Sequence, residues 1–232
     1  AFNADSMLRL QRTGDRVFMQ FKTDTDQESG ILFGTTSDDA RFQIKYDAGT
    51  SGDTLAFHNN SHQVQVIDEN GHITMPKQPA FLITATGSTT QNNIAVNTDV
   101  KITFDDEKFD QNGDFNATSS NATINGVTTS TYHFCAPVTG KYFLNGIVRI
   151  DTVDTAASYY RIKLVTSNRT IYGDLHDVGN MFSSDASYHH LQVTSLVDMD
   201  AGDAAYIVVH QSGGTAQSDI QSQSTFSGYL VA

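Results

Sequence analysis

The sequence is poor in several things at once. It has one cysteine in 232 residues, Cys135, so no intrachain disulfide can form. The thiol has no paired base in the sequence, which makes it a small buried hydrophobe in a strand. There is no tryptophan, and three prolines leave no collagen-like or proline-rich stretch. Basic residues are scarce: 14 Lys and Arg stand against 26 Asp and Glu, a formal charge of −12. Such a chain cannot neutralise a row of phosphates, which excludes nucleic acid, and an anionic membrane surface would repel it. No apolar run approaches a membrane span, and no signal-peptide pattern is present. The first residue is Ala1 and not methionine, as in a fragment or a processed piece of a longer protein.

Catalytic vocabulary is equally thin. Glycan cleavage needs two carboxyls flanking the scissile bond. The only glutamates are Glu28, Glu69 and Glu107, each in a turn-like stretch, and the aspartates form no acid–base constellation. GxSxG, HExxH and phosphate-cradling glycine loops are all missing. No enzyme is expected.

What the chain has is turn residues and alternation. Charged residues are only 17%, and Gly, Ser, Thr, Asn and Asp are abundant, the composition of turn-rich β structure. Val17, Met19 and Phe21 share one face against Arg16, Gln20 and Lys22. Phe42, Ile44 and Tyr46 alternate with Gln43, Lys45 and Asp47, and Val64 and Val66 with Gln63 and Gln65. These predict half-buried strands. Turn clusters at 23–30, 35–40 and 47–53 separate them, and Asn70-Gly71 predicts a two-residue hairpin turn. Strands this short, with one apolar face each, bury little in a single copy of about 75 residues. Residues 1–78 therefore read as a β-rich shaft or neck segment of a trimeric fibre, where three copies share a core. Two of the three prolines fall in Met75-Pro76-Lys77-Gln78-Pro79, an extended connector. Beyond it, strands are predicted at 80–85, 100–104, 132–135, 142–150, 159–165, 190–196, 205–210 and 225–231. None shows a helical period, and together they suit an all-β sandwich.

One stretch ties these strands to a family. In Phe134-Cys135-Ala136-Pro137-Val138-Thr139-Gly140-Lys141-Tyr142-Phe143, Pro137 and Gly140 make a turn before a buried strand. This wording resembles the central signature of the C1q-like domain, the trimeric jelly roll of the C1q and tumour-necrosis-factor superfamily. Val197-Asp198-Met199-Asp200-Ala201-Gly202-Asp203 resembles that family's acidic turn before its penultimate strand. Ser224-Thr225-Phe226-Ser227-Gly228-Tyr229-Leu230-Val231 resembles its closing strand. The resemblance implies a C1q/TNF-like jelly-roll head over 79–232 and a homotrimer, with Phe226 and Tyr229 at the trimer axis. Val64-Gln65-Val66 through Ala80-Phe81 also resembles the neck-to-head junction of phage tail fibres.

The resulting expectation is a non-enzymatic virion adhesin, joined to the rest of the fibre, that recognises a host-cell surface glycan or protein. The alternative is a secreted cellular C1q-like protein with a protein partner. Counting alternate connections places loops 87–99, 137–140, 166–189 and 211–224 at the apex, and 105–131, 151–158 and 197–204 at the base. Tyr172, His176, Tyr188, Gln211 and Gln217, in or beside the apex loops, offer rings and amides suited to a sugar. Asp110-Gln111-Asn112-Gly113-Asp114 starts like a calcium loop, but Phe115 and Asn121 replace the Gly and Glu of the full pattern. Asp198, Asp200 and Asp203 are a second acidic cluster. No resident metal or other cofactor is expected, and calcium is the one candidate. His189 and His190 point to opposite faces of a strand, so one centre cannot easily use both.

Limited proteolysis between Met75 and Pro79, with sizing of both pieces, checks the shaft reading. The expected N-terminal piece either associates or unfolds; a folded monomer there would overturn it.

Overall fold

The computed structural model describes residues 10, 13–14, 16–49, 52–86 and 91–232. It divides between Pro76 and Lys77 into two units. Among the described residues no helix is long and apolar enough to cross a membrane.

The first unit is one antiparallel meander of β1 (Glu28–Thr35), β2 (Asp38–Gly49), β3 (Gly52–Asn59), β4 (His62–Asp68) and β5 (Ile73–Thr74). The turn at Asn70-Gly71 is present but holds three residues: the Asp68 N–H donates to His72 O, and Gly71 sits at φ +82°. A left-handed third position is what such a loop requires, and glycine takes it without steric cost. The Asp68 carboxylate accepts from the N–H of Asn70 and His72 and locks the turn. Residues 50–51, in the expected turn at 47–53, lie outside the described residues.

Register carries the alternation across this sheet. Ile31 and Phe33 pair with Ile44 and Phe42; Ile44 and Tyr46 pair with Phe57 and Leu55; Leu55 pairs with Ile67, and Ile67 with Ile73. All of them therefore lie on one face. That face is largely uncovered: Phe33 is 49% exposed, Phe42 39% and Ile73 57%. Among the described residues of this unit only Ala56 is buried. The strand expected around Val17, Met19 and Phe21 is absent. Residues 17–24 form no strand, and the side chains of Val17, Met19 and Phe21 are exposed, because alternation makes a strand only where a neighbouring edge offers hydrogen bonds.

The second unit holds β6 (Ala80–Thr84), β7 (Asp99–Lys101), β8 (Asp106–Asp110), β9 (Phe115–Asn116), β10 (Ala122–Ile124), β11 (Val127–Thr129), β12 (His133–Cys135), β13 (Gly140–Val153) and β14 (Tyr159–Thr166). After these come β15 (Thr170–His176), the single-turn α1 (Val178–Met181), β16 (Ala186–Met199), β17 (Ala204–Ser212), β18 (Asp219–Ile220) and β19 (Thr225–Leu230). One sheet runs β15-β14-β17-β12-β9, with β7 also on β17. The other runs β16-β13-β19-β6-β8, with β18 on β13; β10 and β11 form a separate hairpin. We call these the D sheet, after its central β14–β17 pair, and the C sheet, after β13. Residues 102–104 leave the strand expected there and turn inward, where Ile102 and Phe104 are fully buried.

The two sheets close over an aromatic cluster. Phe81 stacks on Phe134 at 4.8 Å and meets Phe226 edge-on at 5.1 Å; Phe104 and Phe115 pack against Phe226 at 5.8 and 5.9 Å. Such pairs contribute roughly 0.5–1.5 kcal/mol each beyond their burial. Along one side, β15 of the D sheet runs against β16 of the C sheet. Gly173 permits this approach: a Cβ there would lie 2.5 Å from Gln192 O and 2.6 Å from the Val193 Cβ. The adjacent Asp174 carboxylate accepts the Gln192 N–H across the same seam at 2.9 Å.

Register also fixes the two ends. Ala80 pairs with Tyr229, and the Lys141 N–H donates to Ala232 O, so the 137–140 turn is at the base, beside the 200–203 turn. The expectation had put it at the apex. Loop 154–158 lies at the apex instead of the base, since β13 runs from base to apex. Loop 166–189 contains β15, an extra strand, so its first residues are at the base and its last at the apex. The reversal begins before β12, where β8 and β9 were not expected, and ends at β15, which restores the count. Residues 91–99 and 213–218 meet at the apex, as Ile94 N to Ser218 O records; residues 87–90 lie outside the described residues.

Gly173→Ala is expected to lower stability by about 1–3 kcal/mol through overpacking of the seam. Urea denaturation checks it; an unchanged midpoint would mean that β15 can move off β16 freely.

Candidate functional site

Three surfaces of the second unit hold the residues singled out in the sequence. The first is the outer face of the C sheet. Tyr229 lies there with Phe143, ring centres 5.4 Å apart. Leu196 is opposite Phe143 in register, and Leu82 is opposite Phe109. Tyr229, Leu196 and Phe109 are each about half exposed. Phe226 is not on this face. It is fully buried in the aromatic cluster, because it is three positions from Tyr229 and an odd spacing in a strand changes sides. Its assignment to the trimer axis is corrected accordingly.

The second surface is the apex. Tyr188 stands on β16 with the Arg149 guanidinium 4.6 Å over its ring. Arg149 is held by Asp151, with Nε to Oδ1 at 2.8 Å and Nη2 to Oδ2 at 3.1 Å. Gln217 donates to Asp185 at 2.8 Å, and Asp185 also accepts from the backbone and hydroxyl of Thr155. Those hydrogen bonds, the backbone one foremost, hold the Asp185 carboxyl below its ordinary range. Asp151, Asp185 and Tyr188 line one shallow cleft, beside which Gln217 sits. Gln211 cannot join them. It is completely buried, and its amide donates to Gly213 O and Thr215 O, so its assignment as a surface contact is corrected. Its Oε1 has no hydrogen-bond partner.

His176 is neither solvated nor at the cleft. Its Nδ1 lies 2.6 Å from His189 Nε2 across the β15–β16 seam, and Phe182 meets the His189 ring edge-on. One ring nitrogen of the pair must donate and the other accept, so the two rings cannot both be doubly protonated. Burial, then the neighbouring His176 and His190, pushes His189 below the usual histidine range. His190 projects outward from the adjacent position and is exposed. The third surface is the outer face of the D sheet, where Tyr172 is 62% exposed. Tyr172 therefore stands apart from the apex residues with which it was grouped. Sequence reading missed Arg149, Asp151 and Asp185. The signal available was Arg149 and Asp151 two apart in a strand, hence on one face.

Neither acidic cluster gathers into a cage. The Asp110 carboxylate accepts the N–H of Gly113 and Phe115, as a turn aspartate does. Asp114 turns inward to Asn125 at 2.9 Å, and burial raises its pKa. Asp198 pairs with Arg169, while Asp203 accepts from Asn168 and the Asp200 N–H. Among the described residues no three His, Cys, Asp or Glu side chains are placed to hold a metal. Cys135 is buried, and burial raises its thiol pKa.

A two-sheet β sandwich, with an apolar outer face on one sheet and a polar apex, is the class of protein these observations define. The C1q domain family matches residues 80–231. The chain belongs to that family. Among solved structures it is similar to the globular domain of zebrafish complement 1qA protein, with 17% identity over 66% of this chain and 98% of that one, at a TM-score of 0.43. Murine APRIL is similar at 10% identity over 67% and 100%, with a TM-score of 0.42. The search of curated proteins returned no match.

Two outcomes are expected. Phe226→Ala should cost about 3–5 kcal/mol of stability, as a core aromatic truncation does; a cost near zero in denaturant titration would contradict its burial. His189, depressed in the folded state, makes the unfolded state bind more protons as pH falls below about 6.5. Stability should therefore drop on acidification, and the thermal midpoint of His189→Gln should fall less between pH 7 and 5. An identical slope in both proteins would rule the pair out as the cause.

Proposed function

We propose that this chain is the tip of a homotrimeric virion attachment fibre: a non-enzymatic adhesin that binds a host-cell surface receptor, most simply a glycan. The observation that carries the reading is the uncovered apolar face of β1–β5. In one copy it leaves Phe33, Phe42, Tyr46, Leu55 and Ile73 partly in water, and among the described residues of the unit only Ala56, on the other face, is buried. Contiguous apolar surface of this kind marks an interaction face, and three copies around a common axis would give each sheet a partner. On this reading residues 1–78 form the shaft, continuous with the rest of the fibre, and the C1q domain forms the head. The outer face of the C sheet, with Leu82, Phe109, Phe143, Leu196 and Tyr229, would meet its counterparts in the other two heads. Obligate interfaces of this type bury more than roughly 2,000 Å².

Trimerisation supplies the mechanism. Each head presents the same groups, so a weak single-site contact becomes avid when several sites engage one surface. The cleft at Tyr188, Gln217 and Asp185 is repeated three times at the apex. The protein would act outside cells, on the virion. A secreted cellular C1q-like protein with a protein partner is the competing reading, and the family match covers the same residues under both.

Sedimentation and host-cell adsorption test the proposal together. The native protein is expected near three times 25.3 kDa, and Leu196→Glu with Tyr229→Glu should shift it towards smaller species. Purified trimer should block adsorption of the virus. A stably folded monomer in dilute buffer, or a trimer that binds no cell, would overturn the reading.

A further inference from the structure

The outer face of the D sheet contains a cation with no anion among the described residues. Tyr159, Arg161 and Lys163 alternate along β14 on its outward side, opposite the buried Tyr160, Ile162 and Leu164. Strand β15 brings Tyr172 alongside, opposite Lys163 in register, with a bulge between Arg161 and Lys163. The Arg161 guanidinium carbon then lies 5.2 Å from the centre of the Tyr159 ring and 5.1 Å from that of Tyr172. Two aromatic rings clamp it, which removes most of the side chain's rotational freedom before any ligand arrives.

The neighbouring basic side chains already have a partner in Asp99. Lys163 donates to both oxygens of Asp99 at 2.8 Å, and His210, stacked on Tyr159 at 5.9 Å, meets Asp99 at 2.9 Å. Partial burial pushes the Asp99 carboxyl up, and the hydrogen bonds from Lys163 and His210 outweigh it and keep it ionised. Arg161 has no hydrogen bond and no carboxylate among the described residues, in a chain where acids outnumber bases 26 to 14. Its N–H fork is therefore free for a planar acceptor that can take two parallel bonds.

We propose that Tyr159, Arg161 and Tyr172 form a binding site for an acidic saccharide, a sugar ring bearing a carboxylate. Arg161 takes the carboxylate bidentately. Tyr172 presents a flat apolar ring to the C–H face of the pyranose. Three observations favour this ligand. A single free guanidinium suits one carboxylate, whereas a polyanion would meet the net charge of −12. Strand β14 is hydrogen-bonded on both sides, and the edge strand β15 runs against β16 at Gly173 and Asp174, which leaves an extended peptide little backbone edge here to pair with. The site is also on the opposite sheet from Tyr229 and Leu196, so it stays open if the C-sheet face is covered. The proposal rests on the adhesin reading only for the origin of the sugar, since binding is measurable without it.

Titration of the intact protein with 3′-sialyllactose and with galacturonic acid, each beside its methyl ester, tests the site. At least one acid should bind, about tenfold or more tightly than its ester. Arg161→Gln should remove that preference, and Arg161→Lys should restore only part of it, because a point charge lacks the fork. Tyr172→Ala should weaken binding of the acid several-fold with an unchanged melting temperature. Equal binding of acid and ester, no binding of either acid, or a wild-type titration from Arg161→Gln would each overturn the assignment. Failure here with adsorption still blocked by the trimer would fault this site and leave the adhesin reading intact. Sugar binding by a protein that blocks no virus would do the reverse.

Discussion

The second unit depends on one contact: Phe226 of β19 entering the cluster of Phe81, Phe104, Phe115 and Phe134. These rings come from both sheets, and without them the sandwich would lack the centre of its apolar filling. Everything functional is placed by that closure. It presents the remaining faces of the two sheets outward and brings β15 against β16, where Gly173 allows backbone contact and His176 meets His189. The apex then assembles from loops whose strands are already fixed at their other ends.

The two outward faces differ in chemistry, and the difference follows from alternation. On the C sheet, outward positions carry Leu82, Phe143, Leu196 and Tyr229. On the D sheet they carry Tyr159, Arg161, Lys163 and His210, with Asp99 as the lone counter-charge beside Lys163 and His210. An apolar face gains free energy by leaving water, at about 25 cal/mol per Å². A solvated aromatic and cationic face has no such drive and remains available for reversible contacts. The first unit has a face of the former kind, and Ala56 alone is buried among its described residues.

Much of this was legible in the residues. Strict alternation at 42–47 and 159–164 gave strands, and the wording around Pro137 and Thr225–Tyr229 pointed to the family. Where the reading failed, the reasons are physical. Val17, Met19 and Phe21 alternate but have no edge to join. Strands β8, β9 and β15 carry weak alternation in polar stretches; missing the strands before β12 reversed apex and base from the 137–140 turn onward, and missing β15 set the count right again. Phe226 and Tyr229 were assigned to one surface although their spacing of three places them on opposite sides. Gln211 continues the inward series of Ile207 and Val209, so its burial was readable from parity alone. The clamp on Arg161 was not: Tyr172 reaches it through a bulge and a strand pairing that no local pattern encodes. The pairing of His176 with His189 likewise joins two sheets across 13 residues.

Strand β19 lies between β13 and β6, with Phe226 opposite both Gly146 and Ile83. Strands β6 and β13 are both made before β19, and they cannot share a sheet until it has slotted between them. The nascent chain therefore carries two unfinished edges until β19 emerges, and such edges invite pairing with sister chains. Folding here is an event that waits for the last strand, so a truncation that removes only Thr225–Leu230 should cost the whole head and not one strand of it.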